Sequence, residues 1–270
     1  MNRQDLFQQI KAKESYLCVG LDTDINRIPL NVKESEDPVF EFNRQIIDAT
    51  HDLCISYKLN LAFYEALGPA GLVSMQKTLE YIPEGIFVIA DAKRGDIGNT
   101  SKMYASEFFD HYGYDAVTLS PYMGKDSIDP YLNYADKWAI LLALTSNPGS
   151  NDFQMLRTSD GYLYEEVLRK SSQWGSQDQI MYVVGVTKAA ALSDIRKIIP
   201  DHFLLIPGVG TQGGDLDEVT RSGINKSVGL IINASRSILY ASDGRDFNKA
   251  ARIKAEEIQT SMSRMLDKYC

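Results

Sequence analysis

IFVIADAKRGDIGNTSKMYASEFFDHYGYDAVTLS, residues 86–120, contains one complete unit of the pattern that sets the fold. It opens on an apolar, β-branched run, IFVIAD (86–91), and closes on another, DAVTLS (115–120). Between them, Ile97–Tyr112 has the periodicity of an amphipathic helix. Two continuously apolar strands joined by a helix read as a parallel pair with a crossover, since half-solvated antiparallel strands alternate apolar and polar residues. The first strand ends in Asp91, Lys93, Arg94 and Asp96. A single charge there would simply be solvated at a strand end. Alternate strand residues share a face, however, so Asp91 and Lys93 are expected to point the same way, with Asp96 just beyond in the turn. What such a charge cluster does depends on where the strand end lies.

The same unit recurs along the chain. Apolar runs stand at YLCVGL (16–21), CISYKLN (54–60), WAILLAL (138–144), IMYVVGV (180–186), FLLIPG (203–208) and SVGLIIN (227–233), which with the opening pair makes eight. Helical periodicity follows each of them. Asp37 and Pro38 give an N-cap and a proline at the first helical position ahead of VFEFNRQIIDAT. The other helices are expected at Gly68–Tyr81, Ile97–Tyr112, Lys125–Ala135, Tyr162–Gln173, Lys188–Ile199, Gly214–Arg221 and Phe247–Met265. Eight strand–helix units in about 250 residues predict a closed (β/α)8 TIM barrel, one domain over residues 1–270, with an open doubly wound sheet as the alternative. Two connections are long, residues 22–37 and 146–162. The second follows a strand's C-terminal end, where a lid would sit.

Bulk properties exclude several classes. Of 270 residues, 44% are hydrophobic and 24% charged, an ordinary globular mixture, and the net charge of −8 offers no footprint for nucleic acid or anionic membrane. Cys18, Cys54 and Cys270 are widely spaced without a CxxC, so neither disulfides nor zinc are indicated. His51, His111 and His202 are far apart, which argues against a transition metal. The charged N-terminus and the lack of any long apolar run point to a soluble, cytoplasmic protein.

A barrel builds its site at the C-terminal ends of its strands. Asp22 follows the first strand, Lys58 lies in the second, Asp91, Lys93 and Asp96 end the third, and Ser120 ends the fourth. Ser146 and Asn147 follow the fifth, Gln212 the seventh and Arg236 the eighth. Each alone has an ordinary structural explanation, such as an N-cap, a snorkelling stem or a turn residue. Convergence on one rim is much harder to explain structurally. PGVGTQGGD (207–215) contains a literal GxGxxG, but no nucleotide-binding βαβ domain opens the chain and no acid lies about 20 residues on to hold a ribose. In a barrel the loops after the last two strands form a phosphate site, to which Gln212 and Arg236 would contribute.

DAKRGDIGNT carries the D-x-K-x-x-D-I-x-x-T pattern of the orotidine 5′-phosphate decarboxylase family. CVGLDTD, SYKLNLAFYEALG, LTSNPG and IPGVGTQGGD occur in the family's order, and the chain resembles its long form from Asp22 to Arg236. The resemblance implies decarboxylation of orotidine 5′-phosphate to UMP in de novo pyrimidine biosynthesis, with Lys93 protonating C6. Asp91 and Asp96 would alternate with Lys58 and Lys93 in a charged chain. Asp22 would bind a ribose hydroxyl, Ser146 the pyrimidine edge, and Gln212 and Arg236 the phosphate, with Ile97 and Pro207 as apolar wall. Asp96 and Thr100 would reach the neighbouring site across a homodimer interface. No haem, flavin, thiamine or pyridoxal signature is present, so no cofactor is expected and electrostatics must supply the stabilisation. Two rivals remain. One is a Mg²⁺-dependent sugar-phosphate decarboxylase or aldolase that shares D-x-K-x-x-D but places an acid on strand 2, where this chain has Lys58. The other is a silent nucleotide-binding barrel.

Overall fold

Burial on both faces explains why the strands are apolar throughout. The structure, a computed structural model, describes residues 1–185, 189–208 and 216–270. Its strands, in chain order, are β1 (Leu17–Gly20), β2 (Ser56–Asn60), β3 (Phe87–Arg94), β4 (Ala116–Leu119) and β5 (Trp138–Leu144), then the two-residue β6 (Arg157–Thr158) and β7 (Gly161–Tyr162), and finally β8 (Ile180–Val184), β9 (Phe203–Pro207) and β10 (Leu230–Ala234). Eight of them close in the order β1-β10-β9-β8-β5-β4-β3-β2. Every neighbouring pair in that ring is parallel. The open-sheet alternative is thereby excluded. One contiguous apolar cluster joins the strands to the helices around them. Among the described residues no helix is long and apolar enough to cross a membrane.

Asp37 and Pro38 start a helix as their types require. The Asp37 carboxylate accepts the Phe40 N–H at 3.1 Å, and Pro38–Thr50 buries Val39, Phe42, Asn43, Ile46, Ile47 and Thr50, the i, i+3, i+4 spacing of one inward stripe. Ser74 and Lys77 of Gly68–Tyr81 also bond to Asp37, so the cap staples two helices together. At the opposite end of the barrel the helix Arg3–Lys13, which no pattern marked out in advance, buries Leu6 and Ile10. Its Arg3 bonds the Gln177 carbonyl and lies over the Phe203 ring.

Several boundaries differ from expectation, each for a local reason. The last strand begins at Leu230 rather than Ser227, because Val228 and Gly229 both adopt left-handed backbone (φ 64° and 66°) in a turn closed by Asn225. The helix expected over 125–135 breaks into the 3₁₀ turn Lys125–Ser127 and the short helix Asp129–Leu132. Pro130 has no N–H to extend a helix and is tolerated only in a first turn, which is where it sits. The helix after β3 runs Gly98–Ser106 and then widens into a π turn at Glu107–His111. Phe247–Tyr269 is four residues longer than its pattern suggested. Residues 186–188 and 209–215, which hold the end of the strand expected over 180–186 and the starts of the helices expected at Lys188 and Gly214, lie outside the described residues.

The long connection after β5 has structure of its own. A short helix, Ser150–Phe153, leads into the antiparallel β6–β7 hairpin, and the helix Leu163–Ser171 starts one residue later than expected. The Gln154 side chain ties this segment to the end of β5, accepting the Thr145 N–H at 2.7 Å and donating to its hydroxyl at 2.9 Å.

The closed end of the barrel holds a buried histidine. His202 is 9% exposed, and neither ring nitrogen has a hydrogen-bond partner among the described residues. Burial, and then the nearby Arg3 and Arg196 cations, push its pKa down from 6.5 to about 4. Between those values the folded chain keeps His202 neutral while the unfolded chain protonates it, so stability is lost as pH falls through that window. His202→Phe, which keeps a ring against Tyr182, is expected to remove on the order of 3 kcal/mol of that loss. Denaturant midpoints at about pH 7 and about pH 4.5 measure it: they should lie closer together in the variant than in the wild type.

Candidate active site

The charged residues at the end of β3 meet the barrel's other polar side chains at its C-terminal rim. Lys58 enters from β2, paired in register with Gly20 of β1 and Ile89 of β3. Its ammonium lies 2.9 Å from Asp91 Oδ2 and 3.3 Å from Asp22 Oδ1, with only 5% of the side chain exposed. Asp91 Oδ1 receives Lys93 Nζ at 2.5 Å. The result is a chain of alternating charge, Asp22–Lys58–Asp91–Lys93. From Lys58 onward exposure rises, through 11% at Asp91 to 49% at the Lys93 side chain, which faces the open mouth.

The electrostatics follow from this alternation. Burial alone would push the Lys58 ammonium down, but Asp22 and Asp91 outweigh it and hold Lys58 above the ordinary lysine value. Burial alone would likewise raise Asp91, but Lys58 and Lys93 hold it well below the usual carboxylate range. Lys58 and Asp91 therefore stay ionised near neutral pH, each favouring the charged form of the other.

Lys93 and Asp91 meet by a different route from the one strand alternation suggests. Lys93 has left-handed backbone, φ 49°, and the β3–β4 register shifts between Ala90 and Arg94. A bulge of this kind re-aims a side chain at the end of a strand. Thr118 of β4 supports it: its hydroxyl accepts the Lys93 N–H and donates to Asp91 Oδ1, both at 3.0 Å. Sequence reasoning placed Ser120 at this strand end and missed Thr118, whose type is unremarkable in a strand.

The remaining candidates divide. Arg94 leaves the cluster, pairing with Glu65 and stacking over Tyr104, so Glu65 is already engaged by a cation. Asp96 does not join the four-membered chain. Its carboxylate accepts the following amide, Ile97 N–H, at 2.8 Å, and among the described residues it makes no ion pair. Ile97 and Thr100 are exposed at the start of the next helix. Ser146 lies against Gly185, where a Cβ would come within 2.6 Å of the Ser146 nitrogen, so glycine is required for that approach. Pro207 ends β9 beside Asn233 of β10, and exposed Arg236 opens the short helix Arg236–Leu239 after β10. Gln212 lies outside the described residues. Also among those residues, no group of three or more His, Cys, Asp or Glu is arranged to hold a metal ion.

A closed parallel barrel with an ionised lysine–carboxylate chain at its C-terminal rim is the architecture of a (β/α)8 enzyme. Residues 15–251 match the model of the orotidine 5′-phosphate decarboxylase / HUMPS family. Over 270 residues the chain is 54% identical to the orotidine 5′-phosphate decarboxylase of Bacteroides fragilis (strain YCH46), covering 98% of each. It is 54% identical to that of Christiangramia forsetii over 272 residues, 99% of this chain and all of the other. The solved structure of Leishmania donovani OMP decarboxylase superposes with a TM-score of 0.81 at 36% identity, covering 96% of this chain and 99% of that one. The chain therefore belongs to the orotidine 5′-phosphate decarboxylase / HUMPS family, and its full-length relatives are decarboxylases.

Thr118→Val tests the support beneath Lys93. The near-isosteric change strands the Lys93 N–H and removes a donor from Asp91, and about 1–3 kcal/mol of stability should be lost. Turnover should fall as well, because Lys93 loses its fixed position. Unchanged denaturant midpoints would show that the hydroxyl does not hold the bulge.

Proposed function

We propose that this chain decarboxylates orotidine 5′-phosphate to UMP and CO₂, the committed chemistry of a step in pyrimidine synthesis, with Lys93 as the acid. The observation that carries this reading is the Asp22–Lys58–Asp91–Lys93 chain on a family-matched barrel, with a lysine on β2. When the C6–carboxylate bond breaks, its electron pair stays on C6 in the ring plane, where the π system cannot delocalise it. The Lys93 ammonium stabilises that pair and then donates a proton to it, while CO₂ departs. Asp91 fixes Lys93 and stands near the departing carboxylate. Arg236 and Gln212 bind the phosphate remote from C6, Ser146 reads the pyrimidine edge, Ile97 and Pro207 supply apolar wall, and Asp22 meets a ribose hydroxyl. Residues 146–162 act as a lid over the site, their segment tied to the end of β5 through Gln154.

The enzyme works as a homodimer. Asp96 and Thr100 stand outside their own chain's charged cluster, at the exposed start of a helix, and are offered to the neighbouring site. Lys58 on β2, in place of an acid, argues against the Mg²⁺-dependent sugar-phosphate rival. Loss of orotidine 5′-phosphate absorbance on adding chelator-treated protein tests the assignment. Activity abolished by chelation would favour that rival, and UMP binding without turnover would favour a silent barrel.

Lys93→Ala is expected to abolish turnover while leaving the fold intact, since the side chain is half-exposed at the mouth and fills no core position. Activity comparable to wild type would remove Lys93 from the mechanism. A second experiment addresses the shared site. Lys93→Ala and Asp96→Ala chains should each be nearly inactive alone, yet co-refolding them should restore activity. One site of each heterodimer then carries both lesions and the other neither, so about half of the heterodimer sites should work. If confirmed heterodimers recover nothing, each site is complete within one chain.

A further inference from the structure

The loop that carries Asp22 is tied to the segment after β10 by one phenol. Tyr240 OH donates to the Asp22 carbonyl at 3.2 Å and accepts the Asp24 N–H at 2.8 Å, so it closes both ends of a short turn. Its backbone N–H bonds the Arg236 carbonyl at 3.2 Å, capping the four-residue helix that Arg236 opens. The ring is held on two sides: Phe42 stacks on it at 6.1 Å, and the Arg27 guanidinium lies 3.7 Å from its centroid. Fixed in this way, the phenol has little freedom to release the turn.

The turn needs such a restraint because of its carboxylate. Asp22 lies two residues beyond the end of β1, outside the barrel ladder, and still holds Lys58 at 3.3 Å. Neighbouring residues are anchored elsewhere. Tyr64 OH donates to the Leu21 carbonyl at 2.8 Å, and the Thr23 hydroxyl bonds Asn43. Those contacts fix Leu21 and Thr23, whereas Asp22's own carbonyl is held by Tyr240.

We propose that Tyr240 is a positioning residue that sets the Asp22 carboxylate against Lys58 and couples it to the segment bearing Arg236. Given the substrate assigned above, the residue that meets the ribose and the residue that meets the phosphate then move as one body. Seating the phosphate at Arg236 also places Asp22. No pattern around Tyr240 suggests this role, which exists only because the segments after β1 and β10 are neighbours at the rim.

Tyr240→Phe isolates the hydroxyl, keeping the ring between Phe42 and Arg27, and the Tyr64 and Thr23 anchors keep the loop folded. With orotidine 5′-phosphate, kcat/KM should fall roughly tenfold, the scale of losing hydrogen bonds that order a binding group. Asp22→Ala should cost more, and the double variant should be no worse than Asp22→Ala alone, since the phenol acts only through Asp22. Full activity in Tyr240→Phe, or losses that simply add, would overturn the proposal. A crystal structure of unliganded Tyr240→Phe provides a readout free of activity. Asp22 should withdraw from hydrogen-bond distance of Lys58, and an unchanged contact would sink the idea. If the wild-type chain fails to turn over orotidine 5′-phosphate, the assigned reaction falls, and the crystallographic comparison still decides what Tyr240 does.

Discussion

An ammonium buried inside an apolar barrel must be paired, and much of the site's geometry follows from that requirement. Lys58 keeps only 5% of its side chain exposed, and an isolated charge there would cost several kcal/mol. Asp22 and Asp91 supply the counter-charge, and their positions are strict. Asp91 pairs in register with Asn60, two residues beyond Lys58 on β2, or about 6.6 Å along a strand. The long stem of lysine spans that distance, so the charge sits at the rim while its methylenes cover the core. Pairing Lys58 therefore fixes the ends of β1 and β3 at once.

Asp91 then transmits this order to Lys93. Because Lys58 and Lys93 hold Asp91 well below the usual carboxylate range, it does not compete for the Lys93 proton near neutral pH. Under the proposed assignment that proton is available for carbon. The cost appears in the backbone: Lys93 is left-handed, a conformation worth roughly 1–3 kcal/mol of strain in a residue with a side chain. The Thr118 hydroxyl compensates in part, meeting both the strained N–H and the carboxylate. Rigidity at Asp91 and exposure at Lys93 are complementary under the proposed assignment, in which a fixed but solvent-facing ammonium meets the carbanion.

Which features were legible in the sequence follows from how far each depends on contacts distant along the chain. Strand and helix alternation was readable because parallel strands buried on both faces leave uninterrupted apolar runs, and Asp37–Pro38 is a local signal that the helix Pro38–Thr50 obeys. Pro130 was a breaker in plain view, yet the periodicity around it suggested one helix where there are two short elements. Lys58, Asp91 and Lys93 were readable through strand position and a specific motif. Within one chain Asp96 stands apart from them, its carboxylate accepting the Ile97 N–H. Thr118 and Tyr240 were illegible. A threonine in a strand looks like an ordinary β-former, and Tyr240 meets Asp22 across 218 residues of chain, a contact no local pattern encodes.

Barrel closure turns this scattered set into an ordered one. Around the ring β9, β10, β1, β2 and β3 are consecutive neighbours, although the chain visits β9 and β10 last. Under the proposed assignment, passing from one strand to the next meets Arg236 after β10, Asp22 after β1, Lys58 on β2 and Lys93 on β3. That sequence of contacts runs from phosphate through ribose to the reacting carbon of the base, the covalent order of the nucleotide itself. Ser146, after β5, lies beyond β4 from Lys93, where the same assignment has it meet the far edge of the pyrimidine. Neighbouring strands lie about 4.8 Å apart, so this arc has the dimensions of an extended nucleotide. A substrate laid along it can anchor its phosphate several strands from the bond that breaks, and binding energy gained at Arg236 can be used to hold C6 against Lys93.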